Sequence, residues 1–149
     1  MMAYVSVQAA DFDIGAEIDA LASSGDIGAV VSFTGLVRDT GGVSEMELEH
    51  YPSMTEAALE AIGAEATQRW PLAGVRIIHR YGSLQPQDRI VLVLTASRYR
   101  AAAFEAAEFI MDYLKTRAPF WKKETTLDGA KWVDAREVDD AAEARWRRS

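Results

Sequence analysis

Apolar and polar residues along this 149-residue chain fall into short runs whose period changes several times. Val5 and Val7 alternate with polar neighbours from Tyr4 to Gln8, the pattern of a strand with one covered face. Ile14, Ile18 and Leu21 then recur at helical spacing, with Asp13 placed to cap that helix and Ser23-Ser24-Gly25 to close it. Residues 29–37, AVVSFTGLV, are rich in β-branched side chains and predict a buried strand. Met46, Leu48 and His50 share one face of the next strand, and Glu45, Glu47 and Glu49 the other. The loop between them starts at Arg38 and contains Gly41-Gly42, so the two strands are expected to form a hairpin.

Helical period returns after Ser53. Ser53 is the expected N-cap, and Glu56 completes a capping box. The helix should reach Trp70, stop at Pro71 and bury Ala57, Ala58, Leu59, Ile62 and Ala66. A strand, VRIIHRY over 75–81, leads to a turn at Gly82 and a polar loop, LQPQD. IVLVLTA, residues 90–96, is the most apolar run and the expected central strand.

A long helix follows from Ala101 to Arg117, with Phe104, Ala107, Met111 and Leu114 inward and Glu105, Glu108 and Asp112 outward. Pro119 lacks an amide hydrogen and biases Ala118 away from helical geometry, so the helix ends there. Extended pieces are expected near Thr125 and from Lys131 to Val133, around an Asp128-Gly129 turn. The charged tail from Asp139 ends loosely or as a short helix. Repeats, linkers and low-complexity tracts are absent. These elements predict a single α+β domain over residues 1–149, with a mainly antiparallel sheet packed by helices.

Composition narrows the function. Apolar residues make up 49% and charged residues 26%, ordinary for a soluble globular domain. The net charge of −7 argues against a general nucleic-acid binder, which needs a broad basic face. An anionic ligand then requires a local basic site. No Lys or Arg precedes Arg38, whereas Asp11, Asp13, Glu17, Asp19 and Asp26 do, so the first quarter reads as a solvated acidic face or a surface for a basic partner. Without cysteine the chain can carry neither a thiolate metal site nor a persulfide. The N-terminus lacks a signal-peptide pattern, and no apolar run reaches membrane-span length, which fits a cytoplasmic protein without membrane contact.

Metal, dinucleotide, P-loop and Ser-triad patterns are missing, and His50 and His79 read as structural. What remains is KTRAPFWKKE, residues 115–124, where Lys115, Arg117, Lys122 and Lys123 are interleaved with Phe120 and Trp121. Cations at a helix C-terminus commonly do no more than offset its partial negative charge. Here Lys115 lies in the last helical turn and Lys122 on the extended piece beyond the proline, so two ammonium groups can converge on one pocket from two elements. Arg38, Arg100 and Arg136 sit at other element ends and suit anion binding through the guanidinium fork.

Four segments together carry a resemblance: VSFTGLVRD at 31–39, LEHYPSMTE at 48–56, IIHRYG at 77–82, and above all FEAAEFIMDYLKTRAPFWKKE at 104–124. They resemble the large, catalytic subunit of molybdopterin synthase, over about Gly28 to Trp146. The resemblance implies a hammerhead-type α+β fold, a homodimer, and a small ubiquitin-like sulfur-carrier subunit on each protomer, making a heterotetramer. The carrier's C-terminal Gly-Gly thiocarboxylate would enter the active site and deliver sulfur to cyclic pyranopterin monophosphate, forming the dithiolene of molybdopterin. No cofactor or metal is implied.

By the same resemblance, Lys115 is the essential lysine beside the thiocarboxylate and Lys122 the second active-site lysine. Arg38, Arg100 and Arg136 match the phosphate- and pterin-binding cations, some of them supplied across the dimer. Phe33 and Met111 match pocket walls, with plain core packing as the competing reading. Tyr99 departs from the family, which often has histidine before this arginine; tyrosine donates a hydrogen bond but is neutral at physiological pH, so the position reads as substrate binding. Arg117 and Lys123 are expected at structural or surface positions. The alternative is a non-catalytic module that binds a phosphorylated pterin or the carrier tail.

Overall fold

The structure, a computed structural model, describes residues 3–22, 26–38, 42–126, 128–133 and 137–147, apart from the side chains at 131, 133, 137 and 138. The chain runs β1 (Tyr4–Gln8), α1 (Ile14–Leu21), β2 (Ala29–Leu36), β3 (Glu45–His50), α2 (Met54–Arg69), β4 (Leu72–Arg80), β5 (Gly82–Leu84), β6 (Arg89–Ser97), α3 (Arg100–Arg117), β7 (Phe120–Thr126), β8 (Gly129–Val133) and α4 (Glu137–Ala144). Two four-stranded sheets form, in the orders β1-β4-β6-β2 and β5-β3-β7-β8. Among the described residues every pairing is antiparallel except the parallel contact of β1 with β4. The expected α+β class and mainly antiparallel arrangement hold, and β6 is an interior strand as its sequence predicts.

One pairing differs from expectation. β2 and β3 are not a hairpin: β2 pairs with β6 in the first sheet, and β3 with β5 and β7 in the second. β2 is β-branched and β3 alternates, so each can pair, but their sequence does not specify with whom; as an edge strand, β2 is also not the buried strand its composition predicts, and none of its residues is fully buried. The consequence is functional, because β2 and β3 lie in different sheets, with Arg38 just beyond the end of β2.

Both faces of the first sheet are covered. On one, Ile78, Leu92 and Leu94 meet Phe12 and the α1 residues Ile14, Ile18 and Leu21. On the other, Val75, Ile77, Val91 and Val93 meet Leu59, Ile62 and Ala66 of α2 and Phe109, Ile110, Tyr113 and Leu114 of α3. Asp13 caps α1 as expected, accepting from Ala16 N at 3.0 Å. Ser23–Gly25, the expected close of that helix, lie outside the described residues.

Two helix predictions need rotation. Phe104 is 62% exposed, and α3 buries Ala102, Ala103, Ala106, Phe109, Ile110 and Tyr113 besides Ala107 and Leu114. Small alanines let α3 lie close to the sheet, with Thr95 donating to Ala103 O at 2.7 Å. A phenylalanine on that line has no room, so the aromatic faces out. Ala57 is likewise exposed on α2, where Thr55 and Gly63 are buried instead. Ser53 stands at the N-cap with φ 71° and makes no side-chain cap bond. Thr55 does the anchoring: its Oγ1 accepts from Tyr51 N and donates to Pro119 O, each at 3.1 Å. The first turn of α2 thereby grips the break after α3.

The acidic first quarter is largely consumed by ion pairs within the chain. Asp11 pairs with Arg89 at 2.8 Å, Asp26 with Arg98 at 2.9 Å, and Glu17 with Arg76 at 2.6 Å. The charged tail is equally committed. Trp146 packs edge-on against Trp70 and Phe109, and its Nε1 donates to Asp112 at 2.6 Å.

Candidate active site

α3 ends where its sequence says. Ala118 is extended, at φ −81° and ψ 128°, and Pro119 carries the chain into β7. Along β7 the side chains alternate. Phe120, Lys122 and Glu124 line a cavity, whereas Trp121 meets Tyr51 edge-on with centroids 4.7 Å apart, and Lys123 sits 5.7 Å from the ring centroid of Trp132. The cavity, about 500 Å³, lies between the two sheets below the C-terminal end of α3. Lys115 and Met111 reach it from α3, Phe33 from β2, and Arg38 from just past that strand. Five of the eight expected site residues, Phe33, Arg38, Met111, Lys115 and Lys122, therefore line one space.

The cavity is open rather than sealed: Lys115 and Arg38 are exposed, and Phe33 is 41% exposed. A buried setting for Lys115 is thus not what this chain alone provides. Tyr99 and Arg100 do not line the cavity. Tyr99 is the N-cap of α3 and is 56% exposed; Arg100 opens the helix and is exposed too. Fifteen residues of helix between Arg100 and Lys115 span roughly 22 Å at 1.5 Å per residue, so the two cannot meet on one small ligand within one protomer. Arg136 lies outside the described residues. Arg117, close to Lys115 in sequence, is structural as expected: it stacks 3.8 Å from the Tyr113 ring centroid and pairs with Glu143 at 3.1 Å.

Among the cavity residues not expected there, two are titratable, His79 and Glu124. His79 is 5% exposed and stacks on Phe120, with ring centroids 3.7 Å apart and planes 20° from parallel. Its Nδ1 lies 2.8 Å from Arg80 O, a pure acceptor, so Nδ1 carries the hydrogen. Burial holds the ring pKa down at about 4, against an ordinary 6.5; the bond to Arg80 O works the other way, and the positive charges of Lys115 and Lys122 and the nearby His50 add to the depression. The imidazole is neutral at physiological pH. The sequence did hold a signal. Val75 and Ile77 face the core from β4, and period two puts His79 on that same face. Among the described residues no cluster of three or more His, Cys, Asp or Glu side chains could hold a metal ion.

The family model described as "MoaE protein" matches residues 7–117. The chain is 61% identical to the molybdopterin synthase catalytic subunit of Ralstonia nicotianae, across 97% of this chain and 85% of that protein. The corresponding protein of Mesorhizobium japonicum is 56% identical, across 97% and 94%. This chain belongs to the MoaE family. The solved MoaE protein of Burkholderia ambifaria superposes with a TM-score of 0.85 at 58% identity, covering 97% of this chain and 98% of that one. As a MoaE family member, the chain has the fold its sequence implies, and two of its three cavity cations, Lys115 and Lys122, lie where its own KTRAPFWK segment, residues 115–122, passes from α3 into β7.

Proposed function

We propose that this protein is a sulfurtransferase, the catalytic subunit of a molybdopterin synthase that acts in molybdenum cofactor biosynthesis. It takes sulfur from the thiocarboxylated C-terminus of a small ubiquitin-like carrier and adds it to cyclic pyranopterin monophosphate. The observation that carries this reading is the convergence of Arg38, Lys115 and Lys122 on one open cavity in a protein of net charge −7. Both ligands, a phosphorylated pterin and a thiocarboxylate, are anions that such a site attracts. The chain has no cysteine, so the sulfur must arrive on another molecule.

Within the cavity, Arg38 takes the phosphate through bidentate hydrogen bonds, and Lys122 contacts the substrate from β7. Lys115 stabilises the negative charge that develops when the carrier's acyl group is attacked, or moves a proton there. Phe33 and Met111 form apolar walls. Each carrier gives up one sulfur and leaves as a carboxylate, with water supplying the oxygen. The open mouth at Lys115 suits an extended Gly-Gly tail, which has no side chains to exclude.

Arg100 and Tyr99 serve the cavity of a second copy in a homodimer, since α3 carries them roughly 22 Å from their own Lys115. A carrier on each protomer completes a heterotetramer. The setting is the cytoplasm; among the described residues no helix is long and apolar enough to cross a membrane.

Reconstitution tests the reading. The protein is mixed with thiocarboxylated carrier and cyclic pyranopterin monophosphate, and dithiolene product is measured. Product formation is expected; carrier binding with both starting materials left intact would instead identify a non-catalytic binding module.

A further inference from the structure

We infer that His79 is a positioning residue for the active-site lysines: it presents Nε2 to the cavity as a fixed, neutral acceptor for the ammonium of Lys115. This rests on the sulfurtransferase reading for its consequence in turnover, but not for its geometry. Three constraints define the imidazole. Stacking on Phe120 at 3.7 Å fixes the ring plane. The 2.8 Å contact of Nδ1 with Arg80 O fixes the tautomer and leaves Nε2 as the ring's acceptor. The strand register puts His79 at the wall of the cavity that Lys115 and Lys122 also line.

The charges around the ring keep it in that state. Lys115 faces it from α3, Lys122 and Glu124 share the cavity from β7, and His50 stands on β3, 6.4 Å from the opposite partner ring, Phe120. Protonating His79 would put a charge in a buried place and add it to a cavity that already holds the ammonium groups of Lys115 and Lys122, and its pKa is accordingly held down at about 4. A carboxylate in its place would bind the lysines more tightly but would also cancel the charge that anionic ligands need. A neutral acceptor orients an ammonium without neutralising it. Lys115 is exposed at the cavity mouth, where a long side chain otherwise samples many rotamers.

The test has two arms. In the first, the ring nitrogens of His79 are observed by ¹⁵N NMR in the intact protein, with no turnover required. A proton on Nδ1, an unprotonated Nε2, no titration between pH 8 and 5, and an Nε2 resonance that moves in Lys115→Met are expected. A proton on Nε2, or an Nε2 resonance indifferent to Lys115→Met, overturns the inference. In the second arm, His79→Phe keeps a ring on Phe120 but removes the acceptor, while His79→Gln keeps an acceptor near Nε2. With wild type turning over in the same assay, kcat is expected to fall about 10²-fold in His79→Phe with little change in KM, and to recover most of that loss in His79→Gln. Equal losses in the two variants, or near-normal kcat in His79→Phe, would show a merely structural histidine. A wild type that turns nothing over sinks the sulfurtransferase reading, while the tautomer still decides the geometry.

Discussion

His79 of β4 lies flat against Phe120 of β7, 3.7 Å between ring centroids, and so joins the two sheets at the wall of the cavity. β4 and β7 belong to different sheets. Phe120 also opens the strand that carries Lys122, two residues on and on the same face. Backbone pairing with β3 and β8 holds Lys122 within its own sheet, whereas its position against the first sheet depends on a ring stack that no β4–β7 pairing enforces.

Replacing Phe120 with leucine should expose that dependence. Leucine retains most of the apolar volume but loses the stack, which is worth about 0.5–1.5 kcal/mol. A stability loss of about 1 kcal/mol by urea denaturation is expected, with a larger proportional loss of kcat. Loss of stability with unchanged kcat would mean that Lys122 is held by other contacts.

The buried histidine also makes stability depend on pH. Its folded pKa, about 4, lies below its unfolded value near 6.5. Between these values the unfolded chain binds a proton that the folded protein refuses, so stability rises with pH across that window and falls as the solution is acidified. The slope from this group is at most about 1.4 kcal/mol per pH unit. Urea midpoints from pH 7 to pH 4.5 should fall more steeply for wild type than for His79→Gln. Parallel curves would contradict the assignment.

Dimer complementation tests the placement of Arg100. Arg100→Ala and Lys115→Ala should each be inactive alone. If Arg100 serves the neighbouring cavity, a mixed dimer has one intact site, and an equimolar mixture after subunit exchange recovers roughly a quarter of wild-type activity. No recovery would put both residues in the service of the same protomer.

The tail predicts a stability effect without a catalytic one. Trp146 is only 9% exposed, packs on Trp70 and Phe109, and accepts from Arg69 through its carbonyl at 2.7 Å. Trp146→Ala should cost about 3–5 kcal/mol in urea denaturation. Per folded molecule, kcat should be little changed. A loss below about 1 kcal/mol would mean that the tail merely rests on the core.

Much of this was legible in the chain itself. The bounds of α1, α2 and α3 follow from Asp13, Pro71 and Pro119, because caps and prolines act on their immediate neighbours. Lys115 and Lys122 were legible as a converging pair for the same reason: a helix end and a strand start are local events. Partner choice was not. β2 and β3 pair in different sheets, and nothing in their alternation distinguishes β6 or β7 from each other as partners. Phe104 was misplaced because its helical spacing is as good as that of its alanine neighbours, and only the closeness of α3 to β6 excludes it. His79 passed as structural because a lone histidine has no motif, although period two from Val75 and Ile77 points it inward. Arg100 does not line the cavity of its own chain, and the sequence of one chain holds no signal for the proposed service to a second copy.

The central claim is that Lys115 works on the acyl–sulfur centre rather than capping a helix. The decisive measurement is single-turnover formation of dithiolene product by Lys115→Ala, with saturating thiocarboxylated carrier and cyclic pyranopterin monophosphate, alongside its carrier affinity and melting temperature. The account predicts a rate reduced at least about 10²-fold, with affinity and melting temperature near those of wild type. A rate near that of wild type would contradict it and return Lys115 to the role of a surface cation at a helix end.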